Sequence, residues 1–258
     1  MNTMNTILEA KNLSKTVAVN NSNQQRILNN VNLLIKAGEF ISVMGPSGSG
    51  KSTLLYNISG MDKMTSGSVI FKTQDLAVMS EKDLSNLRLN NMGFIFQQFH
   101  LLKNLCIFDN IVFSAYLAKN SRRDKVNSRA MELMEKAGIA QLAHHDISQA
   151  SGGQLQRVAI CRALINNPDI VFGDEPTGAL NTKPAGEIMD LLAEINQSGT
   201  TILLVTHDVK VAAKTERVLF MQDGGIVAEK ILGKYNRENN DTKAREESLS
   251  HWLLQMGF

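Results

Sequence analysis

The sequence predicts an α/β chain built on a parallel sheet, and three observations carry that expectation. Phe40-Ile41-Ser42-Val43-Met44 is a continuous β-rich apolar run that stops at Gly45, as a strand buried on both faces does. Asp169–Phe172 and Thr200–Val205 repeat the pattern and end in polar residues, Gly173-Asp174-Glu175 and Thr206-His207-Asp208. Segments of helical period separate these runs. The polar residues are therefore expected along the carboxyl edge of one sheet, where open α/β sheets bind their ligands.

Ahead of the first run, Ile27, Val31, Leu33 and Ile35 fall on one alternation, with Asn30, Asn32 and Lys36 between or after them, which predicts a half-buried strand. Ile107–Ala118 predicts a helix. So do Val126, Ala130, Leu133, Met134 and Ala137, recurring at three- and four-residue steps with Gly138 as the stop. Together they predict a helical insert at about 98–160 between two halves of the sheet. Glu187–Ile195 predicts another helix, with Pro184 acceptable in its first turn. After Gly233 the chain turns polar through Asn236–Thr242, and then Leu249, Trp252, Leu253 and Met256 form the apolar stripe of a short terminal helix. The expected organisation is a main domain over 1–232 followed by a polar linker and amphipathic helix over 233–258.

The composition is that of an ordinary globular protein: 258 residues, 43% hydrophobic and 20% charged, with 27 Lys+Arg against 25 Asp+Glu. Disordered and low-complexity readings are excluded, and so near-neutral a balance gives no concentrated basic field for nucleic acid. Cys106 and Cys161 lie far apart without a CxxC partner pair, against a disulfide framework or a zinc site and in favour of a reducing compartment. Met1–Ala10 lacks the apolar core of a signal peptide, and no apolar run approaches the roughly 20 residues of a membrane span. A cytoplasmic chain with any membrane role exerted through a partner is expected.

Gly45-Pro46-Ser47-Gly48-Ser49-Gly50-Lys51-Ser52 fits G-x-x-x-x-G-K-[ST] between a strand and a helical pattern that begins at Thr53. Its glycines let backbone N–H groups turn onto phosphate oxygens, the helix N-terminus adds partial positive charge, Lys51 reaches the β- and γ-phosphates, and Ser52 offers a hydroxyl to Mg²⁺. A bound nucleoside triphosphate is the expected consequence. Asp174, at the end of an apolar strand taken to neighbour this loop, suits Mg²⁺, and Glu175 suits the attacking water.

Ala150-Ser151-Gly152-Gly153-Gln154 precedes a second helical pattern and forms another anion-binding helix start. In this order and company it resembles the LSGGQ signature of ATP-binding cassette (ABC) ATPases in four of five positions, with Ala150 for the leading Leu. The resemblance runs from Leu8 to Glu229. It implies a P-loop NTPase fold with a RecA-like parallel core, an N-terminal antiparallel β subdomain and a helical insert. Gln97 resembles the glutamine that touches Mg²⁺ and the attacking water and reports to a transmembrane partner, with Gln98 as the alternative. His207 resembles the histidine that contacts the γ-phosphate. Such ATPases work as head-to-tail homodimers, in which Ser151, Gly152, Gly153 and Gln154 of one subunit close over the ATP of the other.

Two positions depart from the family pattern: Val17 stands where an aromatic usually stacks on adenine, and Asn181 where an Asp commonly follows Ala-Leu. Met44–Leu55, Phe94–Phe99 and Asp174–Leu180 look most like the macrolide-efflux and lipoprotein-releasing branch. Asn181 and the tail Trp252–Phe258 resemble its bacitracin and lantibiotic resistance group. The resemblance implies ATP hydrolysis with Mg²⁺, a separate permease on the inner face of a membrane, and a sensor kinase reached through that permease. A soluble cassette acting on ribosomes or DNA is the rival reading. Phe99, Leu101, Leu102, Leu105, Ile107 and Phe108 are suited either to receiving the permease or to packing the insert, and the terminal helix either to docking on its own domain or to packing across a dimer or onto the permease.

Overall fold

The computed structural model describes residues 6–20, 23–239 and 241–258. Two sheets lie at its centre. β1 (Thr6–Asn20), β2 (Asn23–Lys36), β4 (Ser66–Phe71) and β5 (Gln74–Asp75) form an antiparallel sheet in the order β2-β1-β4-β5. The second sheet has the order β10-β9-β3-β8-β7-β6, from β3 (Phe40–Met44), β6 (Met92–Phe96), β7 (Ile170–Asp174), β8 (Thr201–Val205), β9 (Arg217–Gln222) and β10 (Gly225–Ile231). Its pairings are parallel except at the edge, where β9 and β10 form a hairpin.

Both faces of the parallel sheet are covered, which is why its strands read as unbroken apolar runs. Ile41, Val43, Ile170, Phe172, Leu203 and Val205 point into one core shared with β1, β2, β4 and the helix α1 (Lys51–Ile58). The intervening Phe40, Val171, Ile202 and Leu204 face a second core built from α3 (Ile107–Ala118), α4 (Arg123–Lys136), α5 (Gly152–Leu164) and α6 (Thr182–Gln197). The helical insert thus packs directly on the sheet. α2 (Glu81–Asn91) escapes the periodicity because only Leu84 and Leu87 of its eleven residues are buried.

Three expectations need correction. Val31, Leu33 and Ile35 of β2 are buried as expected, but before them the buried residue is Leu28, with Ile27 half-buried, because Asn30 adopts φ +50° at a register shift between the Leu13–Val31 and Lys15–Leu28 pairs. The extra residue of such a bulge flips every side chain beyond it to the other face. Secondly, the strand that ends in Asp174 neighbours the phosphate loop as expected, but not by lying beside β3: β8 stands between them, and Ser52 at the start of α1 makes the contact. Thirdly, α6 starts at Thr182, five residues before the predicted boundary, with Pro184 in its first turn, where no N–H is needed.

The terminal helix α8 (Thr242–Gln255) follows α7 (Val209–Ala212), β9 and β10 in the chain and buries Leu249 and Leu253 against Met44, Ala212, Ala213, Val218 and Phe220. Trp252 meets Phe220 edge-on at 6.2 Å. Arg245 anchors the helix by donating to the carbonyls of Ala213, Leu232, Thr215 and Gly233 at 2.8–2.9 Å.

Candidate functional site

The carboxyl edge of the parallel sheet gathers the phosphate loop, Gln97, Asp174, Glu175 and His207. Gly45 leaves β3 at φ +148°, and a Cβ there would stand 2.0 Å from the carbonyl oxygen of Met221, so the loop passes β9 at a distance only glycine permits. Pro46, Ser47 and Gly48 are exposed, whereas Ser49 is buried, with its N–H donating to Pro46 O at 3.2 Å. Gly50 caps α1 in a left-handed conformation without a side-chain bond, and the first helical bond runs from Leu54 N to Gly50 O. The N–H groups of Lys51, Ser52 and Thr53 therefore precede the hydrogen-bonded turns and carry the helix's positive end, which fits an anion.

The Lys51 ammonium folds back over this loop, donating to Gly45 O at 2.9 Å and Pro46 O at 2.8 Å. Burial pushes its pKa below the ordinary lysine value, and the charges of Glu175 and Asp174 partly restore it. The Ser52 hydroxyl donates to Asp174 Oδ1 at 2.9 Å although the two are 122 residues apart. One hydroxyl and one carboxylate, both hard oxygen donors, are the sparse set that Mg²⁺ takes when phosphate oxygens and water complete its shell. Tyr56, which no sequence motif marks, donates to the other oxygen of Asp174 at 2.7 Å. Burial, that hydrogen bond and the Asp174 charge push its phenol up to about 12.

Glu175 follows β7 at φ +51°, a strained conformation for a non-glycine residue, and its N–H donates to Val205 O at 3.0 Å. Its Oε1 lies 2.8 Å from His207 Nδ1. His207 is held just past β8 by a turn in which Asp208 N donates to Thr206 Oγ1 and Lys210 N to Asp208 Oδ1. Gln97 follows β6, whose Phe96 pairs with Asp174, and its amide lies over Gly178: a Cβ on that glycine would come within 3.0 Å of Gln97 Nε2. Gln98 is exposed.

The signature residues lie apart from this group. Ser151 caps α5 by a reciprocal pair, accepting from Gln154 N at 3.4 Å while Ser151 N donates to Gln154 Oε1 at 2.8 Å. Gly152, Gly153 and Asn181 join them around a cavity of about 290 Å³ that no residue of the phosphate loop lines. One chain thus carries two helix starts of a kind that fits an anion, and they do not share this cavity. Of the apolar residues expected near Gln97, Ile107 belongs wholly to the core, Leu102 is exposed, and Phe99, Leu101, Leu105 and Phe108 are half-buried. Val17 is partly exposed on β1.

A family model described as ABC transporter matches residues 28–178. The chain is 40% identical over 221 residues to the uncharacterized ABC transporter ATP-binding protein YvrO of Bacillus subtilis (strain 168), covering 86% of this chain and 96% of YvrO. To the macrolide export ATP-binding/permease protein MacB of Hahella chejuensis it is 39% identical over 241 residues, covering 89% of this chain but only 36% of MacB. The chain spans about a third of the length of such ATP-binding/permease relatives. Among solved structures, the dimeric post-hydrolysis state of the ATP-binding cassette MJ0796 bound to ADP and Pi matches with a TM-score of 0.81 at 39% identity, over 88% of this chain and 100% of that one.

Proposed function

The chain belongs to the ABC transporter family and is an ATPase of that family, and from that premise we propose that it is the subunit that binds and hydrolyses ATP to power a separate membrane permease. The observation that carries the chemistry is the meeting of Ser52 with Asp174 beneath the loop that Lys51 closes, beside the Glu175–His207 pair.

In this reading the Gly45–Thr53 amides receive the phosphates of ATP, and Lys51 exchanges its two loop carbonyls for phosphate oxygens. Ser52 and Asp174, with Gln97 above Gly178, would hold Mg²⁺ when it is bound. The metal supplies neutralisation of charge on the β- and γ-phosphate oxygens. Glu175 accepts a proton from the attacking water, and His207 stabilises the charge that develops on the γ-phosphate. The hydrogen bond between these two side chains keeps the base and the charge stabiliser in one geometry before substrate arrives.

Homodimerisation follows from the separation of the two anion-binding helix starts: the Ser151–Gln154 cavity needs a phosphate that its own loop does not deliver, and a second copy supplies one. For the permease we favour a cavity of about 400 Å³ lined by Met61, Phe94, Phe96, His100 and Arg162 among others, near which the helical insert exposes Leu102, Phe113 and Leu117. Among the described residues no helix is long and apolar enough to cross a membrane, so attachment to the inner face of the membrane runs through that partner. Export is favoured by relatives named for macrolide and syringafactin export. Resistance to peptide antibiotics, and a sensor kinase reached through the permease, rest on Asn181 and the tail alone.

The test is phosphate release from the purified protein, together with its isolation in detergent from the parent cell with whatever accompanies it. ATPase activity and a multi-span permease are the expected result, and a bulky extracytoplasmic segment on that permease supports the peptide-resistance reading. Ribosomal or DNA-bound material without a membrane protein overturns the transporter reading and leaves the ATPase chemistry standing.

A further inference from the structure

Asp174 receives two hydroxyls from one helix. Ser52 and Tyr56 lie four residues apart on α1 and so share a face. Ser52 donates to Oδ1 at 2.9 Å and Tyr56 to Oδ2 at 2.7 Å. The roles of the two differ once a metal ion is considered. Ser52 is itself an oxygen donor to that ion, so its bond to Asp174 is exchanged when the ion arrives. Tyr56 has no such second task.

The Tyr56 ring packs against the core shared by the two sheets, and its backbone carbonyl accepts from Met61 N, Asp62 N and Ser59 Oγ at 2.9–3.3 Å. The phenol is therefore delivered from a side chain fixed at both ends. An O–H donor on a carboxylate is among the stronger hydrogen bonds, and it fixes the plane of the acceptor.

We propose that Tyr56 is a positioning residue of the metal site, clamping Oδ2 of Asp174 so that Oδ1 keeps facing Mg²⁺ after Ser52 has let go. The inference rests on the ATPase reading above and adds a residue to it. Groups that orient a metal ligand by hydrogen bonding typically change metal affinity by about 10–100-fold when removed. They need not touch the substrate or the reacting atoms.

The experiment compares wild-type protein, Tyr56→Phe, and a variant with 4-aminophenylalanine at position 56, which keeps the ring and restores an N–H donor. Mn²⁺ binding in the presence of ADP is followed by electron paramagnetic resonance, metal-free ADP affinity by calorimetry, and ATPase rate against Mg²⁺ concentration. For Tyr56→Phe, Mn²⁺ affinity falls by about tenfold and half-maximal activity moves to correspondingly higher Mg²⁺. Metal-free ADP affinity and the rate at saturating Mg²⁺ stay near wild type. The amino variant recovers Mn²⁺ affinity.

Unchanged Mn²⁺ affinity in Tyr56→Phe overturns the assignment, as does a loss of ADP affinity equal to the loss of metal affinity, which a purely structural role would give. If Tyr56→Phe does not fold, the ¹³Cζ resonance of Tyr56 in wild-type protein decides: it keeps its hydrogen-bonded shift in the Mg²⁺·ADP state if the clamp persists and loses it otherwise. Wild-type protein that binds no adenine nucleotide overturns the ATPase reading itself, a result distinguishable from failure of the clamp.

Discussion

His207 Nδ1 lies 2.8 Å from Glu175 Oε1, although 32 residues separate them in the chain. Parallel pairing of Asp174 with Val205 brings the two strand ends together, and the positive φ of Glu175 turns its side chain toward the histidine. The strain of that backbone, of order 1–3 kcal/mol, is sustained by the surrounding sheet and holds the carboxylate within hydrogen-bond reach of the histidine.

Glu175→Gln keeps the shape and removes the base. ATP binding is expected to persist, hydrolysis to fall by about 10²–10⁴-fold, and closed dimer to accumulate with ATP. Turnover at the wild-type rate in a phosphate-release assay removes Glu175 from its role.

Gly45→Ala drives a methyl group to 2.0 Å from a backbone carbonyl at a φ that alanine does not adopt. Overpacking of this kind costs about 1–3 kcal/mol or more. The expected outcome is a lower melting temperature together with lost ATP affinity, read by calorimetry. Retention of both means the loop can shift away from β9.

Gly178→Ala presses on the Gln97 amide, which stands where the new Cβ would come within 3.0 Å. ATP affinity is expected to hold, while the hydrolysis rate drops by up to about 100-fold, the scale of a misplacement of about 1 Å in a catalytic constellation. An unchanged rate separates Gln97 from the chemistry.

Leu253, on the core-facing side of α8, is 1% exposed, and Leu253→Ala is expected to destabilise the protein by about 2–5 kcal/mol in urea unfolding. Arg245→Met should cost a similar amount by leaving four carbonyls, those of Ala213 and Thr215 buried, without their donor. If neither changes the unfolding midpoint, α8 is not held on this core in solution.

Burial pushes the Cys161 thiol from its ordinary value near 9 up to about 12. A neutral thiol held in the fold but free to ionise once unfolded contributes stability that is complete below pH 9 and is lost progressively toward pH 12. Cys161→Ala or Cys161→Val should flatten the decline of stability between these limits. At pH 8 an aromatic disulfide reagent should modify Cys161 only on unfolding, because the reactive thiolate is suppressed. Rapid modification in the native state contradicts this burial.

The phosphate loop, the strand Phe40–Met44 and the helix Ile107–Ala118 were legible because each signal is local: a run of one polarity, a helical period, glycines at fixed spacing. Asp174, Glu175 and His207 were legible as polar residues ending apolar runs. The sequence by itself determined the fold class, the family resemblance and the candidate chemistry at the sheet edge. Only the tertiary structure decided that Leu28 rather than Ile27 is buried, that β8 separates β3 from β7, and that Tyr56 joins Ser52 on Asp174. The physical reason is the range of the forces involved. Propensity and periodicity act over a few residues, whereas a bulge at Asn30, the order of strands and a hydroxyl meeting a carboxylate 118 positions away depend on which surfaces pair once the whole core has closed.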